Sequence, residues 1–198
     1  MSVMSEPKLQ PPGAGLPWPQ RVLLRYVVGP LVSKRVPLKK SRADYEKITQ
    51  RLIEAIDRIP SELRQIKKLV PKQRGLEDSS RFWSLDGVIE HLLIVSQSIE
   101  RGILELSEGK KPSVKADIAA VKPTHLRSDP FSEFKSYAPE LLRRIDTKLS
   151  LDQMEKFSHI TLNHPWFGEL NARQWYWLLS VHQGIHYQQA IEIIKQLK

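Results

Sequence analysis

Trp175, Leu179, His182, His186, Gln189 and Ile193 recur at intervals of three and four along the C-terminal stretch of the chain. That interval places them on one face of a helix, with an apolar residue at either end and two imidazoles in the middle. Four residues turn a helix by about 400° and advance it by about 6 Å, so His182 and His186 stand one above the other. Imidazoles buried in an apolar seam are costly unless each nitrogen finds a partner. One ion held between the two rings meets that requirement, because neutral histidine is a common metal ligand. His91 lies between Val88 and Val95 on the inward flank of a second helix, beside the small residues Ser84, Gly87, Ser98 and Gly102. Three histidines from two helices leave one side of an ion open, the pattern of a catalytic rather than a closed structural site.

The same spacing also fits a helix core whose histidines are hydrogen-bonded structure, and spacing alone does not separate the two. Gln189, one turn beyond His186, either orients that ring or satisfies a backbone group. His164 precedes Pro165, which favours an extended backbone and places it as a turn residue at the rim of the seam. Trp175 reads as core or pocket wall, together with Trp166, Phe167 and Trp177. His125 and His159 stand among polar residues and read as surface. Glu90 is adjacent to His91 but lies about 100° around the helix and faces away from the seam. Glu169 and Asp44 serve as a general base only if the fold carries them to the site, so no catalytic acid or base is assigned.

Four long helices must position these residues. Tyr45, Ile48, Leu52, Ile56 and Ile59 make the stripe of the first, which Pro60 ends; Leu63, Ile66 and Val70 predict a shorter helical piece up to Pro71. Ser84 is the N-cap of the second helix, which carries Leu85, Val88, His91, Val95, Ile99 and Ile103 and closes at Gly109. Residues 110–129 have no period and read as loop. Asp129-Pro130 caps and opens the third helix, through Phe134, Ala138, Leu141 and Ile145, with Pro139 predicted to kink or restart it. Asn171 with Gln174 makes a capping box for the fourth. With no convincing strand, the expected fold is all-α, an up-and-down four-helix bundle over 41–198.

The 198 residues carry 31 Lys+Arg and 22 Asp+Glu, a net charge of +9, and no cysteine. The missing cysteines exclude a disulfide scaffold, a thiolate metal site and a protein thiol nucleophile. The charge is concentrated: residues 1–40 hold seven basic residues against the single acid Glu6, and seven of the 14 prolines. They form a proline-rich basic arm, with 1–19 expected to be disordered or PPII-like and the apolar residues of 20–40 expected to pack on the domain. The run Val22-Leu23-Leu24 stops at Arg25, too short for a signal-peptide core, and no stretch is apolar enough to span a membrane. A cytoplasmic location is therefore expected, with no nucleic-acid or membrane contact except weakly through the arm.

Trp83-Ser84 before a helix bearing His91, the segment HPWFGELNARQW, and His182-x3-His186-x2-Gln189 together resemble the DinB/YfiT-like proteins over about residues 41–198. The resemblance implies a four-helix bundle, commonly a homodimer, binding a divalent metal such as nickel or zinc through His91, His182 and His186. It also implies thiol-dependent transferase or isomerase chemistry on a small-molecule substrate, in some relatives with a low-molecular-weight thiol; metal-assisted hydrolysis is equally compatible with the residues themselves. The arm departs from the family pattern, and Ile185 stands where some relatives have another histidine. The leading expectation is a metal-dependent enzyme that activates water or a small thiol. The alternative is a non-catalytic helical binding or dimerisation module whose basic arm contacts an anionic partner.

Overall fold

The computed structural model describes residues 7–14 and 17–198. Three helical stretches follow one another without a break: α1 (Trp18–Leu23), a wider π-wound stretch (Leu24–Val32) and α2 (Ser33–Arg35). The four long helices are α3 (Leu38–Asp57), α5 (Leu85–Ser107), α6 (Pro130–Lys148) and α8 (Ala172–Lys195). The short helices α4 (Ser61–Arg64) and α7 (Leu151–Lys156) lie in connections. The chain is mostly helical, and α3 packs on α8, α8 on α5, α5 on α6 and α6 on α3.

The helix ends follow local chemistry. The Ser84 hydroxyl accepts from the Gly87 N–H, the Asp129 carboxylate from Ser132, and Asn171 and Gln174 cap each other reciprocally. Each such cap contributes about 1 kcal/mol by satisfying an N–H that has no partner within the helix. Gly109, just past α5, has φ +77°, which a side chain rarely tolerates. Pro139 does not divide α6, which runs unbroken through it. The proline is on the exposed face, so water can reach the carbonyl whose donor it removes.

Two further expectations are corrected. The helical piece predicted up to Val70 ends at Arg64, after which β1 (Lys68–Leu69) pairs antiparallel with β2 (Phe82–Trp83). β3 (Leu162–His164) likewise pairs with β4 (Gly168–Leu170), Leu162 facing Leu170 and His164 facing Gly168. Both pairs are too short to show alternation in a sequence. They satisfy the backbone of connections crossing the ends of the long helices.

The apolar interior divides into two clusters. Ile99, Ile103, Leu141, Trp175 and Leu178 belong to one, and Leu52, Val88, Phe134, Ala190 and Ile193 to the other. On α8 the change from one to the other falls across His182 and His186.

The N-terminal arm lies partly on this body. Residues 1–6 and 15–16, within the stretch expected to be disordered, lie outside the described residues. The backbone N–H groups of Gln10 and Gly13 donate to Asp78 and Glu77. Arg173, in the first turn of α8, donates to the carbonyls of Ser33 and Val36, and Gln174 to the Gly29 carbonyl and the Ser33 hydroxyl. Carbonyls left open at the end of the arm's helix are thereby satisfied. Gly29 sits against the Phe167 carbonyl, where a Cβ would clash.

Candidate metal centre

His91, His182 and His186 converge, with one nitrogen of each ring within 4.8 Å of the others. The ring centres are 4.5–5.0 Å apart. His91 and His186 are buried, and His182 is half-buried. The Nε2 atoms of His91 and His182 are 3.1 Å apart. Nitrogens around a tetrahedral zinc with bonds near 2.1 Å stand roughly 3.4 Å apart, so this pair is already at ligand spacing.

Hydrogen bonds fix which nitrogen of each buried ring points inward. His91 Nδ1 lies 2.7 Å from the Val121 carbonyl, which can only accept, so Nδ1 carries the hydrogen and Nε2 presents a lone pair. Gln189 sets His186 in the same way. Its amide Nε2 donates to the Ser80 carbonyl at 2.7 Å, which leaves Oε1 to accept from His186 Nδ1 at 2.7 Å. Gln189 thus satisfies a backbone group and orients the ring at once. The Trp83 indole stacks on His186, with planes 7° apart, and tilts against His91.

Burial holds all three histidines neutral. His91 is lowered to about 4 despite its bond to Val121. His182 and His186 are driven well below their ordinary value, chiefly by burial and then by the neighbouring imidazoles. At neutral pH an ion therefore meets lone pairs rather than imidazolium charge. The donor set fits a borderline divalent metal: three neutral nitrogens, two of them oriented by a carbonyl or amide oxygen, with no carboxylate among them.

The triad opens on a cavity of about 370 Å³, walled mainly by apolar side chains. α5 contributes Val95 and Ile99, α8 Leu178 and Val181, the 114–121 loop Ala116 and Ile118, and the arm Leu24 and Val28. Trp175 also lines it, its indole N–H donating to the Leu162 carbonyl, so its outer edge is occupied. His164 lines it from the end of β3. Pro165 has no N–H, and those of Trp166 and Phe167 both donate to His164 Nδ1, at 3.1 and 3.3 Å. The hydrogen is thus on Nε2, and burial lowers the ring to about 4, so it stays neutral.

The remaining candidates stand elsewhere. Asp44 pairs with Lys40, and Glu169 accepts from Thr161, both on exposed surface. Glu90 is buried against Arg127, bonding its backbone N–H and pairing with its guanidinium. His125 and His159 are exposed. The sequence reading missed the Val121 carbonyl, Ser80 and the cavity wall built by the 114–121 loop. Backbone carbonyls have no signature in a sequence, and that loop has no period. Trp83 had one: an aromatic residue just before an N-cap packs on the helix it precedes. Comparison with family models, curated proteins and solved structures gives no match for the chain.

Proposed function

We propose that this protein is a divalent-metal-dependent enzyme of the DinB/YfiT-like type, a four-helix bundle whose metal is held by His91, His182 and His186. The observation that carries the reading is the convergence of three neutral imidazoles from two helices on the end of an apolar cavity. Nickel and zinc suit the all-nitrogen donor set. When bound, the ion supplies Lewis-acid chemistry that makes a water or a small thiol nucleophilic at neutral pH.

The chain's own residues have separable roles. Val121 and Gln189 hold the His91 and His186 rings at fixed orientation and tautomer. The cavity walls exclude water and accept an apolar substrate body. His164 offers its Nε2–H from the cavity wall to a substrate oxygen. Because the chain has no cysteine, a thiol nucleophile comes from a small molecule, which leaves metal-assisted hydrolysis and thiol transfer as the two reaction classes.

Elemental analysis of purified protein beside His91→Ala and His182→Ala tests the proposal. One equivalent of zinc or nickel in the wild type, reduced at least tenfold in both variants, is expected. A wild type that stays metal-free after incubation with either ion refutes the metal centre. Metal retained undiminished by both variants refutes the ligand assignment.

A further inference from the structure

Among the described residues no element covers the outward face of the N-terminal helical segment, although its inward face is anchored by Arg173 and Gln174. Leu24, the adjacent pair Val28 and Gly29, and Ser33 recur every four or five residues on the inward side, and Leu24 and Val28 line the cavity. On the other side, Trp18, Val22, Leu23, Tyr26, Val27 and Leu31 are exposed, Trp18 by 70% and Tyr26 by 66%. Seven of the eleven exposed large apolar side chains among the described residues fall within 18–32. Apolar surface gathered on one helix in this way marks an interaction site.

The charge of the same segment narrows the occupant. Arg21, Arg25, Lys34 and Arg35 are all exposed, and residues 7–40 contain no Asp or Glu. A second copy docked by two-fold symmetry would set this basic face against itself, with no carboxylate on the helix to offset the repulsion. A nucleic acid would meet the cations but gain nothing from valine and leucine. An anionic bilayer surface satisfies both: acyl chains take the apolar side chains, and headgroup phosphates and carboxylates take the guanidinium and ammonium groups. Trp18 and Tyr26 are the amphipathic aromatics that favour the headgroup boundary. No helix among the described residues is long and apolar enough to cross a membrane, so the segment lies on the surface instead of spanning it.

We infer that residues 18–35 form an interfacial helix that docks this protein on anionic membranes, its apolar outward face in the lipid and its basic residues at the headgroups. The docking helix is also a wall of the cavity, so the metal centre faces its inner side and the bilayer its outer side. The inference does not depend on the metal: binding through this face requires only the helix and its anchoring by Arg173 and Gln174.

Co-sedimentation of the full chain with vesicles of phosphatidylcholine, with or without 30% phosphatidylglycerol, is the test. Binding to the anionic vesicles and little to the neutral ones is expected. Arg21→Glu with Lys34→Glu should weaken the partition about 25-fold or more, taking about fivefold for each basic side chain at an anionic surface. Leu23→Asp with Val27→Asp should weaken it at least tenfold. Both pairs are exposed, and each variant should keep the wild-type circular dichroism and zinc stoichiometry. Brominated acyl chains should quench tryptophan emission in the wild type and much less in Trp18→Phe. Absence of binding to anionic vesicles overturns the inference, as does equal binding to neutral ones unaffected by the variants. A dimer in solution that Leu23→Asp with Val27→Asp splits into monomers assigns the face to a second copy instead. Tight binding of a single-stranded oligonucleotide that survives that double variant assigns the cations to nucleic acid.

Discussion

Replacing Gln189 by leucine isolates what holds the His186 ring. Gln189 is fully buried, and its amide makes two bonds of 2.7 Å, accepting from His186 Nδ1 and donating to the Ser80 carbonyl. Leucine keeps an apolar side chain of similar bulk in the seam but leaves one donor and one acceptor without partners. Each buried orphan costs about 1–3 kcal/mol, so the metal-free protein should lose about 2–6 kcal/mol of stability. The freed imidazole can also rotate or change tautomer, and loss of such an orienting partner typically weakens metal binding about 10–100-fold. Urea unfolding of metal-free protein measures the first quantity, and competitive titration with a zinc chelator the second. The two readouts separate the roles. A stability loss with unchanged zinc affinity would refute the claim that Gln189 positions a ligand. Unchanged stability would refute the buried hydrogen bonds themselves.

Two other outcomes follow from the geometry. Gly29→Ala places a methyl group against the Phe167 carbonyl, so the arm should lift from the body; limited proteolysis should cut within residues 18–35 at least tenfold faster, while zinc stoichiometry holds. The metal-free fold should also be acid-labile. His91 and His164 sit at about 4 when folded, against about 6.5 in an unfolded chain, so between these values the unfolded state binds more protons and stability falls as pH falls. The contribution is complete above pH 6.5, declines by about 2 kcal/mol per histidine at pH 5, and is gone near pH 4. Urea midpoints that are equal at pH 7.5 and pH 5, or higher at pH 5, would contradict the buried neutral histidines.

The long helices, and the starts of α5, α6 and α8, were legible because each is encoded locally, whereas α3 begins at Leu38 without a side-chain cap, inside the stretch read as the arm. Ser84, Asp129 and Asn171 accept from an N–H three residues on, an interaction contained within one turn. Register along α8 likewise placed His182, His186 and Gln189 on one side before any partner helix was known. The short elements failed for the opposite reason. Lys68–Leu69 is a strand only because Phe82–Trp83 lies beside it, and nothing in residues 63–70 announces that partner. Pro139 does not restart α6, because its effect depends on whether the freed carbonyl faces water, which is a property of the packed helix.

The sequence by itself determined which side chains are on offer: histidine without cysteine, two imidazoles a turn apart, a third on another helix, and a basic arm without acids after Glu6. Only the tertiary structure decided that the third imidazole meets the other two, and which nitrogens of His91 and His186 would face an ion held between them. Those nitrogens are chosen by the Val121 carbonyl, 30 residues from His91, and by the Ser80 carbonyl, 109 residues from Gln189. A backbone carbonyl is the same in every residue, so its position is written in no side chain and exists only once the loops have closed. The outward face of residues 18–35 was decided in the same way: Arg173 and Gln174 bind one side of that helix, and the side they leave free is the apolar one.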